Sequence, residues 1–153
     1  SGDSDYERVG SGWWVMELKF KEQVSVRVDD INFGGHLDHA RLITLMHQAR
    51  IQVFKKLGVS ELDCGGHKMV MRNLEIKYSA QSYLDDVLEM DLALSINRAC
   101  LLINYEIFNL TQNKRAARAE IQMAVIENQT AQPLSPKVFL EAINPSFLSP
   151  AIH

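Results

Sequence analysis

The stretch VRVDDINFGGHLDHARLITLMHQARIQVFKKLG, residues 26–58, decides the fold. Its second half repeats with a helical period. Leu42, Leu45, Met46, Ala49, Val53 and Leu57 form an apolar stripe along a helix expected over 38–57. Asp38 is a natural N-cap, Lys55 and Lys56 fall in the last turn, and Gly58 suits the position just past the end. About 20 residues at ~1.5 Å each make a rod of roughly 30 Å. The chain breaks just before it, at Asp30-Ile31-Asn32-Phe33-Gly34-Gly35, where two adjacent glycines open backbone conformations closed to other residues.

Outward from that segment the pattern turns to strands. Residues 13–28 read as extended, with Val24, Val26 and Val28 alternating against Ser25 and Arg27. Downstream, 69–78 reads as a strand with a change of phase between Met71 and Leu74 that suggests a bulge. Leu88, Met90, Leu92, Leu94 and Ile96 alternate against polar Glu89, Asp91 and Ser95. The run 101–110 is more apolar, as a central strand would be, and Ala119, Ile121, Met123 and Val125 alternate against Glu120 and Gln122. Residues 111–115 read as a hairpin loop, and Pro133 and Pro136 end the regular sheet. One helix and about five mostly antiparallel strands bury each other's apolar faces most economically as an α+β domain, a curved sheet around one central helix. The organisation expected is a disordered or artificially added lead over 1–12, one domain over 13–145 and a tail over 146–153.

Composition narrows the class. The chain has 153 residues, 46% hydrophobic and 23% charged, an ordinary globular balance for one domain. Its net charge of -3 supplies no basic field for nucleic acid. No apolar run approaches the ~20 residues that span a bilayer. Cys64 and Cys100 are read as free thiols in a reducing cytoplasm, with Cys64 on a flexible surface loop, and not as a disulfide framework or metal cluster. A cytoplasmic protein with no nucleic-acid and no membrane partner is the expectation.

Chemistry concentrates where the helix begins. Asp29, Asp30, Asn32, His36, Asp38 and His39 fall within eleven residues around the two glycines. A helix start offers unpaired amides and the positive dipole end, which can stabilise an oxygen that becomes negative during acyl transfer. Carboxylates and imidazoles beside it can move protons near pH 7. Each residue also has an ordinary role: Asp38 as cap, Asp29 and Asp30 as turn residues, Asn32 as a loop residue. His36, Asp38 and His39 are poor as a metal set, because Asp38 and His39 open a helix and diverge, so no metal is expected. Cys64-Gly65-Gly66-His67 lacks a third member for nucleophilic catalysis.

At these residues the chain resembles the hotdog-fold thioesterases of the 4-hydroxybenzoyl-CoA-thioesterase-like branch. Arg27, Asp30, Asn32, Gly35, His36, Asp38, His39, Ala40 and Leu42 follow that family's loop pattern, and Gln48-Ala49-Arg50 follows its helix motif. The likeness extends more loosely over 24–142. It implies a hotdog fold, about five antiparallel strands wrapped around one long helix, and hydrolysis of an acyl-CoA or acyl carrier protein thioester. It implies a homodimer or a dimer of dimers with the site between protomers, and no cofactor beyond the CoA of the substrate. The implied roles fall to Asn32, His36, Asp38 and His39 as catalytic residues and to Gly34, Gly35, Met46, Phe54 and Met69 as substrate-binding residues. Arg72, Lys77, Arg98 and Arg118 are candidate phosphate contacts. The family's usual catalytic Asp is Asn32 here, and its helix Glu is Gln48. That change keeps two alternatives open: a non-catalytic acyl-CoA-binding hotdog domain, and a hotdog enoyl hydratase or dehydratase, whose loop Asp30-Ile31-Asn32 echoes.

Overall fold

The computed structural model describes residues 4–9, 13–96 and 100–148. Helix α1 runs His39–Leu57, and its ends are set chemically. The Asp38 carboxylate accepts from the Ala40 and Arg41 amides, satisfying two of the donors a helix start leaves open. At the other end Gly58 takes φ 82°, the left-handed conformation that lets its amide close back on Phe54 and Lys55. The stripe Leu42, Leu45, Met46, Ala49, Val53, Phe54 and Leu57 is buried.

The strands are β1 (Ser4–Val9), β2 (Trp13–Ser25), β3 (Lys68–Tyr78), β4 (Val87–Ile96), β5 (Leu101–Asn109) and β6 (Lys114–Ile126). They form one antiparallel sheet in the order β1-β2-β4-β5-β6-β3. Apolar residues line up across it. Leu18 pairs with Leu94, Leu94 with Ile103, and Ile103 with Ile121, so one row of buried side chains crosses four strands beneath the helix. β5 lies inside the sheet, as its apolar run requires. A register shift between Met71 and Asn73 is the expected bulge, and β5 turns into β6 over 110–113.

Several expectations are corrected. Ser4–Val9, within the segment taken as a disordered lead, pairs along β2, whose thirteen residues would otherwise leave a long open edge. Phe147, in the segment taken as a tail, packs on Phe20 with ring centroids 5.7 Å apart. A short helix, α2 (Lys137–Ala142), precedes it and buries Phe139 against Phe54. The strand pattern through Val28 ends earlier, at Ser25, where the chain turns into a short 3-10 segment at Val28–Asp30. Cys64 is buried and not on an open loop: its backbone bridges His67, and burial pushes its thiol up to about 11. Among the described residues no helix is long and apolar enough to cross a membrane.

Candidate active site

Asp30 builds the loop before the helix. The residue is 3% exposed, and its carboxylate accepts from the Arg27 amide at 2.9 Å, while Arg41 of α1 donates to it through Nε at 3.2 Å. Its carbonyl accepts the Asp38 amide at 2.8 Å. One residue thus ties the start of the loop to both the cap and the first turn of the helix.

Asn32 organises the tip. Its Oδ1 accepts from the Gly34 amide at 3.0 Å and the His36 amide at 3.2 Å, and its own amide donates to the His36 carbonyl at 2.9 Å. Two backbone donors fix which end of the side chain is the oxygen. The Nδ2 group is left over, and among the described residues it donates to no protein acceptor. Gly35 sits at φ 80°, which a residue with a Cβ rarely adopts. A Cβ on Gly34 would sit 3.4 Å from both Asn32 Oδ1 and His36 Nδ1, so these two side chains flank Gly34 closely. His36 meets Tyr83 edge-on at 5.2 Å.

At the helix start the amides are unevenly occupied. Asp38 N is used by Asp30, and Ala40 N and Arg41 N by the Asp38 carboxylate at 3.0 and 3.3 Å. The His39 amide has no acceptor among the described residues. The His39 ring stacks on Tyr78 at 4.0 Å, and Tyr78 Oη donates to the His39 carbonyl at 3.1 Å. Burial, and then the nearby Asp38 charge, raises the Tyr78 phenol above its ordinary value. A small cleft of about 20 Å³ opens here, lined by Asp38, His39, Leu42, Tyr78, Gln81 and Ser82 among others. The helix start is therefore reachable from solvent.

The residues singled out from sequence are brought together in part. Asn32, Gly34, Gly35 and His36 form the loop tip, and Asp38 and His39 the helix start, but the tip does not line this cleft. Met46, Phe54 and Met69 are buried in the core. Lys77 and Arg118 line a larger cleft of about 270 Å³ on the opposite face of the sheet, where Glu75, Glu106 and Glu120 accompany them. Three carboxylates there oppose a polyphosphate. Arg72 is exposed on β3, and Arg98 lies outside the described residues. Tyr78, Gln81, Ser82 and Tyr83 were not legible as site residues, since only the folding of 78–83 against the helix start brings them there. Among the described residues no three His, Cys, Asp or Glu side chains gather as a metal site.

The family model of the thioesterase-like superfamily matches residues 26–143, which include the loop, helix α1 and four of the strands, β3 to β6. The chain belongs to the thioesterase-like superfamily. Its architecture is the hotdog fold of solved thioesterases. A 1,4-dihydroxy-2-naphthoyl-CoA thioesterase from Synechocystis superposes with TM-score 0.75 at 16% identity, over 87% of this chain and 98% of that one. A DHNA-CoA thioesterase from Staphylococcus aureus gives 0.71 at 19% identity, over 80% and 84% of the two chains. Another S. aureus protein, solved in complex with CoA, gives 0.68 at 16% identity, over 81% and 80%. No curated protein matches this thioesterase-family chain in sequence.

Proposed function

We propose that this chain hydrolyses the thioester of an acyl-CoA at the start of α1, in a site completed by a second copy of the chain. The supporting observation is the uneven use of donors there. The His39 amide lies unpaired where a cleft reaches the dipole end of a nineteen-residue helix, and the Asn32 Nδ2 is unpaired on the adjoining loop. A thioester carbonyl accepting from these groups gains stabilisation as its oxygen becomes negative. Asn32 is a donor in this reading, because its oxygen is already held by two amides and an amide side chain does not act as a base.

Asp38 Oδ2 serves two amides as the cap, and in this reading His36 takes the proton of the attacking water. The rings of Tyr83 and His36 meet edge to face, which keeps the imidazole turned along the loop. Gly34 and Gly35 let the loop backbone lie close to the thioester, and a second protomer beside β3 would wall the shallow cleft. Met46 lies midway along α1, Phe54 in its last turn and Met69 at the start of β3, all buried, so an acyl chain would meet them only where that partner opens a groove along the length of the helix.

Asn32→Asp tests the donor role. It keeps an oxygen for the Gly34 and His36 amides but replaces the free Nδ2 with a second, negative oxygen. A fall in kcat for thiol release of about a hundredfold is expected, by analogy with the loss of one oxyanion donor. An unchanged or raised kcat would overturn it and show that the position works as a carboxylate. The amide in place of a carboxylate at position 32 favours a second reading, a domain that binds acyl-CoA without cleaving it. Tight binding of acyl-CoA with no release of free thiol would select that reading.

A further inference from the structure

A buried polar cluster adjoins the cleft through Ser82, and the reading of the helix start does not use its side-chain hydrogen bonds. Asp86, Asn109 and Ser82 are 6%, 1% and 2% exposed. Asp86 Oδ2 accepts from the Tyr83 amide at 2.9 Å, from Asn109 Nδ2 at 2.8 Å and from Gln112 Nε2 at 2.7 Å. Asn109 Nδ2 also donates to Ser82 Oγ at 3.1 Å, and its Oδ1 accepts the Gln112 amide at 2.9 Å. Each of these side chains has at least one partner, which in a low-dielectric interior favours one arrangement over several.

The cluster reaches the reactive loop twice. The Asp86 carbonyl accepts the Val26 amide at 2.9 Å and the Asp85 amide donates to the Val26 carbonyl at 2.9 Å, so β2 is held just where the loop departs. At the loop's other end, the Ser82 carbonyl accepts the Leu37 amide at 2.7 Å, one residue before the cap, and the Tyr83 ring meets His36. Asp86 thus accepts the first backbone hydrogen bond of loop 26–37, and through Asn109 its side chain is linked to Ser82, which accepts the last, without Asp86 itself touching the cleft.

We propose that Asp86 and Asn109 are positioning residues for the hydrolysis, clamping both ends of loop 26–37 so that His36 and the His39 amide keep their mutual geometry. The proposal rests on the reading of the helix start as the reactive centre. A misplacement of about 1 Å is enough to lose about a hundredfold in rate, so the clamp acts on kcat more than on binding.

The test compares Asp86→Asn and Asn109→Leu with the unmodified protein. Ile143→Ala, a buried substitution outside the cluster, serves as a control for lost stability alone. Thiol-release kinetics and the ring-proton resonances of His36 are read on each. The expected result is a kcat lowered about tenfold or more with KM within about twofold, and a shift of the His36 resonances as its contact with Tyr83 is lost. The control keeps its kcat and its His36 resonances. Unchanged kcat and unmoved resonances in both cluster variants would overturn the proposal, as would an equal loss in the control. If neither variant folds, Gln112→Ala removes one part-exposed donor and carries the same two readouts. Absence of turnover in the unmodified protein would count against the thioesterase reading, and the His36 resonances would still decide the clamp.

Discussion

Asp30 and Asp38 stand at the mouth of one helix, and the fold spends both as acceptors for backbone amides and Arg41. Their loss is therefore felt first as stability. Asp30→Ala strips the Arg27 amide of its acceptor and leaves the Arg41 head without its buried partner. A loss of about 2–3 kcal/mol in urea unfolding is expected, the range for hydrogen bonds to a charged group. A loss under about 0.5 kcal/mol would show that the loop holds without it. Cys64 gives a second residue-scale expectation. A buried thiol raised to about 11 stays protonated at pH 7.5, so thiol reagents should label it slowly in the native protein and rapidly in denaturant. Fast native labelling would mean that the 64–67 turn opens readily.

The caps carry the element scale. Gly58→Ala forces a Cβ into the left-handed region, and about 1 kcal/mol of destabilisation is expected. Asp38→Ala should cost a similar amount through the lost cap, with Asp38→Ser recovering most of it in the same denaturation assay. The link from β4 to β5 adds a pH dependence. Burial opposes ionisation of Asp86, but the donors Asn109, Gln112 and Tyr83, and then the charge of Lys114, outweigh it, and the net effect lowers its carboxyl below the ordinary value of 3.8. A lowered folded value means the stabilisation is complete above 3.8 and fades as pH falls through the folded value. The stability gap between the unmodified protein and Asp86→Asn should accordingly be constant near neutrality and shrink below about pH 3.8; a gap that grew on acidification would contradict the assignment.

For the molecule as a whole, what was legible was what is local in sequence. Helix α1 and both its caps, the bulge beside Met71 and the existence of the β5–β6 turn, expected over 111–115 and found over 110–113, were readable, because period, cap chemistry and turn residues act within a few positions. Helix α2 was missed since it spans six residues with no side-chain cap, and the burial of Cys64 was missed since a Cys-Gly-Gly-His run looks like surface. The loop residues of the site were named from sequence, but the Asp86 cluster was not, because Asn109 and Ser82 meet across 27 positions. Met46, Phe54 and Met69 were visible only as apolar, and their burial follows from the stripe and the sheet face they belong to.

At this scale the sheet ends in β3, paired on one side only and carrying exposed Met71, a template for a second copy. Sedimentation should give a mass about twice 17.4 kDa, and Met71→Asp should shift it towards the monomer; a monomer at all concentrations would remove the shared site. Thiol release from a panel of aliphatic and aromatic acyl-CoAs is the most direct measurement of what this molecule does. Turnover on at least one member by the folded, self-associated protein is expected, whereas binding to the panel with no thiol released from any member would contradict hydrolysis at the helix start.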